Sequence, residues 1–213
     1  MEALRRLGAR SVPIVARGDR FVYSQSLADV RSFLGMPPEQ ERALSAEELA
    51  QRLDLVLAAT GRFVRQMPAR VLDDPFRNSW APPRGLAHHV FRIVEAFLEA
   101  TDNREALTYE LIMRGTHDVA PGDDVASYGE DIRARFDAWW ERNKHADFAS
   151  MVSTYYGNQT LLATLERTTW HSAQHARQLM FVLESHKIKV DGPLTSNELS
   201  GLPLPVGAWD DES

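Results

Sequence analysis

The sequence predicts a mainly α protein: a four-helix bundle carrying a small N-terminal β-hairpin-plus-helix appendage. Four long amphipathic segments between residues 45 and 190, joined by long loops, form the pattern of a helical bundle. Two β-favouring runs near the start flank a turn that carries glycine. With 213 residues and 44% hydrophobic content, the chain can bury a proper core, as one large domain or as one domain plus an appendage.

Residues 1–35 hold the appendage. Val12-Pro13-Ile14-Val15-Ala16 and Phe21-Val22-Tyr23 are separated by Arg17-Gly18-Asp19-Arg20, a short hairpin turn that only by spelling matches an adhesion tripeptide. Ser26 caps a helix, with the acid Asp29 three residues on. Leu27, Val30, Phe33 and Leu34 point inward, and Gly35 stops the helix before Pro37-Pro38. Two strands and one helix are too little for an independent core, so this unit must pack on something. Residues 36–44 are a linker.

The bundle spans residues 45–190. Ser45 and Glu48 form a capping box, and Leu49, Leu53, Val56, Phe63 and Met67 follow at helical spacing until Pro68. Residues 69–85 read as a loop, punctuated by Pro75, Pro82, Pro83 and Gly85. A second helix covers residues 84–101, with Leu86, Val90, Ile93, Val94 and Phe97 inward. Residues 102–126 are the least readable: 107–113 fit a short helix or a strand, and 121–124 a turn. A third helix begins at Ser127 with Glu130 as capping partner, and Ile132, Phe136, Trp139 and Trp140 form its inner side. The fourth runs from Thr160 to His186 with Leu161, Leu165, Thr168, His175, Leu179 and Val182 as its stripe. Residues 191–213 are an extended tail lying on the surface.

Composition removes several classes of function. A net charge of −6, with no basic run, argues against nucleic-acid binding and against docking on anionic membranes. No apolar run approaches the roughly 20 residues of a membrane span, and the N-terminus lacks a signal peptide's apolar core. There is no cysteine, which excludes disulfides, thiolate ligands and a cysteine nucleophile. The simplest expectation is a soluble cytoplasmic protein.

Position separates the seven histidines. His171 and His175 are four residues apart on one predicted helix, which leaves them on one face about 6 Å apart along the axis. His89 lies in line with Leu86, Ile93 and Phe97 and points into the bundle, while His88 is about 100° round the helix. Such rings are either partly buried histidines satisfied by hydroxyls and carboxylates, or ligands of one divalent cation. Three histidines without a fourth protein ligand leave positions open for water or substrate, as in catalytic rather than structural zinc sites.

Leu86-Ala87-His88-His89-Val90-Phe91-Arg92-Ile93-Val94-Glu95-Ala96-Phe97-Leu98, followed by Leu165 to Leu179 with its H-x-x-x-H-x-x-Q block, resembles the DinB/YfiT-like superfamily. The resemblance covers residues 45–190. It implies a metal-binding four-helix bundle in which His89, His171 and His175 hold a divalent metal: zinc or nickel first, manganese or iron otherwise. It also implies a metal-dependent S-transferase that uses glutathione or another small thiol against an electrophile, and a homodimer. Metal-dependent hydrolysis and a non-catalytic, metal-binding or stress-related interaction protein are the alternatives. No general base stands out by spacing; Glu95 is the nearest. Arg177 and Gln178 are solvated helix-face residues or contacts for a carboxylate-bearing thiol.

The segment from Gly8 to Val30 resembles the C-terminal half of a glutaredoxin, with Val12-Pro13 before the hairpin. That likeness implies a cis Pro13 and glutathione contacts from Val12 and Pro13. The redox cysteines are missing, so redox activity is excluded and the segment either retains thiol recognition or only packs.

Overall fold

The computed structural model describes residues 7–8, 14–37, 43–77 and 79–209, and the chain divides into two compact units, Met1–Ala43 and Leu44–Ser213. In the first unit, strands β1 (Ile14–Arg17) and β2 (Arg20–Tyr23) pair antiparallel, with Ile14 opposite Tyr23 and Arg17 opposite Arg20. Helix α1 (Leu27–Leu34) starts where Ser26 Oγ accepts from the Asp29 N–H and ends at Gly35, whose φ of 69° is the left-handed conformation glycine adopts without strain. Val30 and Phe33 are half-buried, whereas Leu34 faces solvent rather than inward. Among the described residues of this unit no apolar side chain is fully buried, as its size dictates. Val12 and Pro13 lie outside the described residues.

The second unit is built on four long helices, α2 (Ala46–Gln66), α4 (Pro83–Asn103), α6 (Val125–Asn143) and α7 (Leu161–Ser185). Helices α2 and α4 each pack against both α6 and α7, so the order round the bundle is α2, α7, α4, α6. Successive helices α2 and α4 are therefore diagonal, which explains the long connections. Phe63, Phe91, Phe97 and Trp139 fill the middle, with Phe97 edge-on to Trp139 at 4.9 Å. Gly129 is required there, because a Cβ at this position would meet the Phe91 ring at 2.2 Å.

The helix starts follow from local chemistry. Ser45 and Glu48 make the expected reciprocal capping box before α2. At α6 the cap is Asp124, not Ser127: its carboxylate accepts from both the backbone and the hydroxyl of Ser127, starting the helix at Val125, nearly one turn earlier. The loop expected over 69–85 contains a short helix, α3 (Ala69–Asp73), whose Asp73 takes two hydrogen bonds from Arg84 on α4. Ambiguity over 107–113 resolves into a bridge of Leu107 to Thr154 followed by helix α5 (Tyr109–Met113). Strands β3 (Met151–Thr154) and β4 (Gly157–Thr160) form a second hairpin that leads straight into α7.

The tail does not simply lie on the surface. Leu194, Leu199 and Leu202 belong to the core, and Arg52 and Arg62 of α2 donate to the carbonyls of Ser200 and Gly192 at 2.9 Å. No helix among the described residues is long and apolar enough to cross a membrane.

Candidate metal centre

Helices α4 and α7 are neighbours, and they bring His89, His171 and His175 together. One ring nitrogen from each lies within 4.8 Å of the others, and no Asp or Glu joins the group among the described residues. His89 is 3% exposed; the other two are half-buried. Burial, reinforced by the neighbouring His175 and Arg167, lowers the His89 pKa to about 2. Burial lowers His175 to about 4, despite the opposing hydrogen bond to Gln178, and holds His171 well below its ordinary value. At neutral pH all three rings are uncharged, the form that donates a lone pair to a cation.

Hydrogen bonds order the rings on α7. Arg167 (one helical turn before His171) can only donate, so its guanidinium contact makes His171 Nδ1 an acceptor and places that ring's proton on Nε2. His171 Nε2 lies 3.0 Å from His175 Nε2, which must accept. His175 then carries its proton on Nδ1, donated to Gln178 Oε1 at 2.8 Å. Nδ1 of His89 is buried without a partner. A lone pair on His175 and an orphaned nitrogen on His89, in an uncharged imidazole set, fit a borderline divalent cation. Taking it through His171 Nε2 would require that ring's proton to move to Nδ1 and the Arg167 guanidinium to give way there, with no net proton released.

Around this cluster, Arg167 also donates to Tyr155 Oη at 3.2 Å and lies over the Trp170 ring, 5.3 Å from its centroid. Trp80 sets its ring edge-to-face with His89 at 5.2 Å and with His117 at 5.5 Å. Trp80 also lines a cavity of about 310 Å3, together with Asp73, Arg84, Thr116, His117 and Val119. Thr116 is 2% exposed there, and its hydroxyl has no partner.

The other candidates fall elsewhere. His88 stacks on Tyr128, with ring centroids 4.9 Å apart and planes at 18°. Glu95 is no free base: it accepts from Arg92 at 2.5 Å, Arg135 at 2.6 Å and Tyr128 Oη at 2.7 Å. Burial alone would raise its pKa, but the hydrogen bonds from Tyr128 and Arg135 and the charge of Arg92 outweigh that and lower it. Arg177 and Gln178 are not simply solvated, since both hold the C-terminal tail. His186 closes α7 against Phe76. Sequence reasoning missed Arg167 and Trp80. The first had a signal, four residues before His171 on the same face; the second sits among prolines with no periodicity to read.

No protein-family model and no curated protein matches the chain. Among solved structures it is similar to YfiT from Bacillus subtilis, described as a probable metal-dependent hydrolase with an unusual four-helix bundle topology. That likeness has a TM-score of 0.53 at 17% identity and covers 72% of this chain and 96% of YfiT. The chain has the four-helix-bundle fold of YfiT.

Proposed function

We propose that the protein is a divalent-metal-dependent enzyme whose reaction is hydrolysis at the three-histidine centre. The observation that carries this reading is the convergence of three uncharged imidazoles, within 4.8 Å, with no carboxylate among the described residues to close the coordination. His89, His171 and His175 hold the metal, with zinc or nickel best suited to an all-imidazole set. A divalent cation bound there supplies an acidified water as nucleophile at neutral pH, without a protein cysteine. Arg167 places a fixed positive charge where negative charge builds on the substrate. Trp80, edge-to-face with His89, also lines the neighbouring cavity of about 310 Å3, which offers space for a small substrate. The description of YfiT as a probable metal-dependent hydrolase supports the same reaction class.

Small-thiol transfer is the second reading, and the likeness of residues 8–30 to part of a glutaredoxin favours it. Glutathione would then take the place of water, with an organic electrophile as co-substrate. Metal analysis of the purified protein beside a His171→Ala/His175→Ala variant tests the common foundation. About one metal per wild-type chain and none in the variant is expected; equal trace metal in both sinks the site. With metal confirmed, 4-nitrophenyl acetate hydrolysis and glutathione conjugation to 1-chloro-2,4-dinitrobenzene, each with and without chelator, separate the two reactions.

A further inference from the structure

The tail and the metal centre are joined by one glutamine. Within a single turn of α7, Gln174 Nε2 and Gln178 Nε2 both donate to the Ala208 carbonyl, at 2.9 and 3.1 Å. Between them Arg177 donates to the carbonyls of Pro205 at 2.7 Å and Val206 at 2.8 Å. Trp209 anchors the same stretch against Phe76, with ring centroids 5.7 Å apart. Four hydrogen bonds thus hold residues 205–208 along the helix that carries two of the three histidines, and Trp209 packs beside it on Phe76.

An amide side chain has a donor end and an acceptor end, and a carbonyl facing it selects the donor. With its Nε2 on Ala208, Gln178 must turn Oε1 toward His175, which fixes the His175 proton on Nδ1. Nε2 of His175 then keeps its lone pair toward His89 and His171. Without the carbonyl, Gln178 is free to flip or swing to water, and the His171 Nε2–H donation, which metal binding at that nitrogen would remove, is all that holds the His175 tautomer. We propose that the C-terminal tail is a working part of the metal centre: the Ala208 carbonyl, acting through Gln178 as positioning residue, holds His175 in its metal-accepting tautomer. This rests on the metal reading above, and partners of this kind change metal affinity about 10- to 100-fold when removed.

The test uses cobalt(II) as the probe and the whole chain beside one ending at Leu204. Circular dichroism checks folding, and Arg177→Ala in the whole chain loosens the tail without cutting it. Cobalt affinity is expected to fall about 10- to 100-fold in the shortened chain and in Gln178→Ala. In the shortened chain Gln178→Glu restores it, because both ends of a carboxylate accept and no carbonyl is needed to orient them. Nitrogen-15 NMR of the metal-free His171→Ala protein, which lacks the competing His171 donor, reads the tautomer directly: Nδ1–H at His175 in the whole chain, a mixture in the shortened one. Unchanged affinity and tautomer on shortening overturn the proposal, as does a loss in Gln178→Ala with none on shortening. If the whole chain binds no cobalt, the metal reading fails, and the tautomer measurement still decides the role of the tail.

Discussion

His88 and His89 are adjacent on α4 and show what distinguishes a ligand from a buried histidine. Both have an Nδ1 that is buried without a partner, and burial lowers both pKa values. An orphaned nitrogen therefore does not make a site. His89 meets two further imidazoles across the α4–α7 interface. His88 instead stacks on Tyr128 beside an ion-paired lattice in which Arg92 holds Glu95 and Glu99, and Arg135 holds Glu95 again. About 100° of helix rotation separates a cluster of neutral imidazoles from a network of paired carboxylates and arginines.

The sharpest test of this contrast replaces each histidine in turn. His89→Ala is expected to abolish stoichiometric metal, more than 100-fold in affinity by the ligand's loss, on the order of or beyond what outer partners contribute. His88→Ala should leave metal content at the wild-type level. Equal loss in both, measured by elemental analysis of folded protein, would break the comparison.

A second test attacks the charged side. The Arg92 side chain is only 4% exposed and donates to Glu95, Glu99 and the Leu111 carbonyl. Arg92→Ala leaves the Leu111 carbonyl without this donor and Glu95 and Glu99 with only their more exposed partners Arg135 and Arg114, and a loss of about 3 kcal/mol is expected in urea unfolding. Metal content, corrected for folded protein, should not change. A mild effect on stability with a large one on metal would reverse the roles assigned to the two faces.

The smallest effect concerns pH. His89 and His175 titrate at about 2 and about 4 in the folded protein, below the ordinary value of 6.5 that the unfolded chain retains. The unfolded chain thus takes up protons first as pH falls. Stability is whole above about pH 6.5 and is lost progressively toward pH 4 and 2, by about 0.7 kcal/mol per histidine between pH 7 and 6. The urea midpoint of metal-free protein should drop over that interval, and His89→Leu should flatten the slope. A flat wild-type profile would mean that these rings are not held neutral.

Helical periodicity made most of the bundle legible. The Ser45–Glu48 box, the proline after Met67 and the stripe on α7 are local signals, and the structure keeps them. His89, His171 and His175 were readable for the same reason, since a fixed 3.6-residue repeat converts spacing into facing. What escaped depends on long-range pairing or on competition between caps. Strands β3 and β4 are four residues each, too short for alternation to show, and the bridge from Leu107 to Thr154 joins distant segments. Asp124 displaced Ser127 as the α6 cap because a carboxylate reaches two donors at once. The tail's buried leucines carry no periodic pattern, so only tertiary packing reveals them.

Thr160 ends β4, paired with Met151, and is also the N-cap of α7, its hydroxyl accepting from the Ala163 N–H at 3.1 Å. The next two residues, Leu161 and Leu162, donate their N–H groups to the carbonyls of Ser150 and Phe148. No slack separates hairpin from helix, so the hairpin's register clocks the azimuth at which α7 leaves it. One residue gained or lost at this joint turns everything beyond it by about 100°. The hairpin is thus the index mark that aims His171 and His175 at His89, and a change of length between Thr160 and His171 turns them away from it.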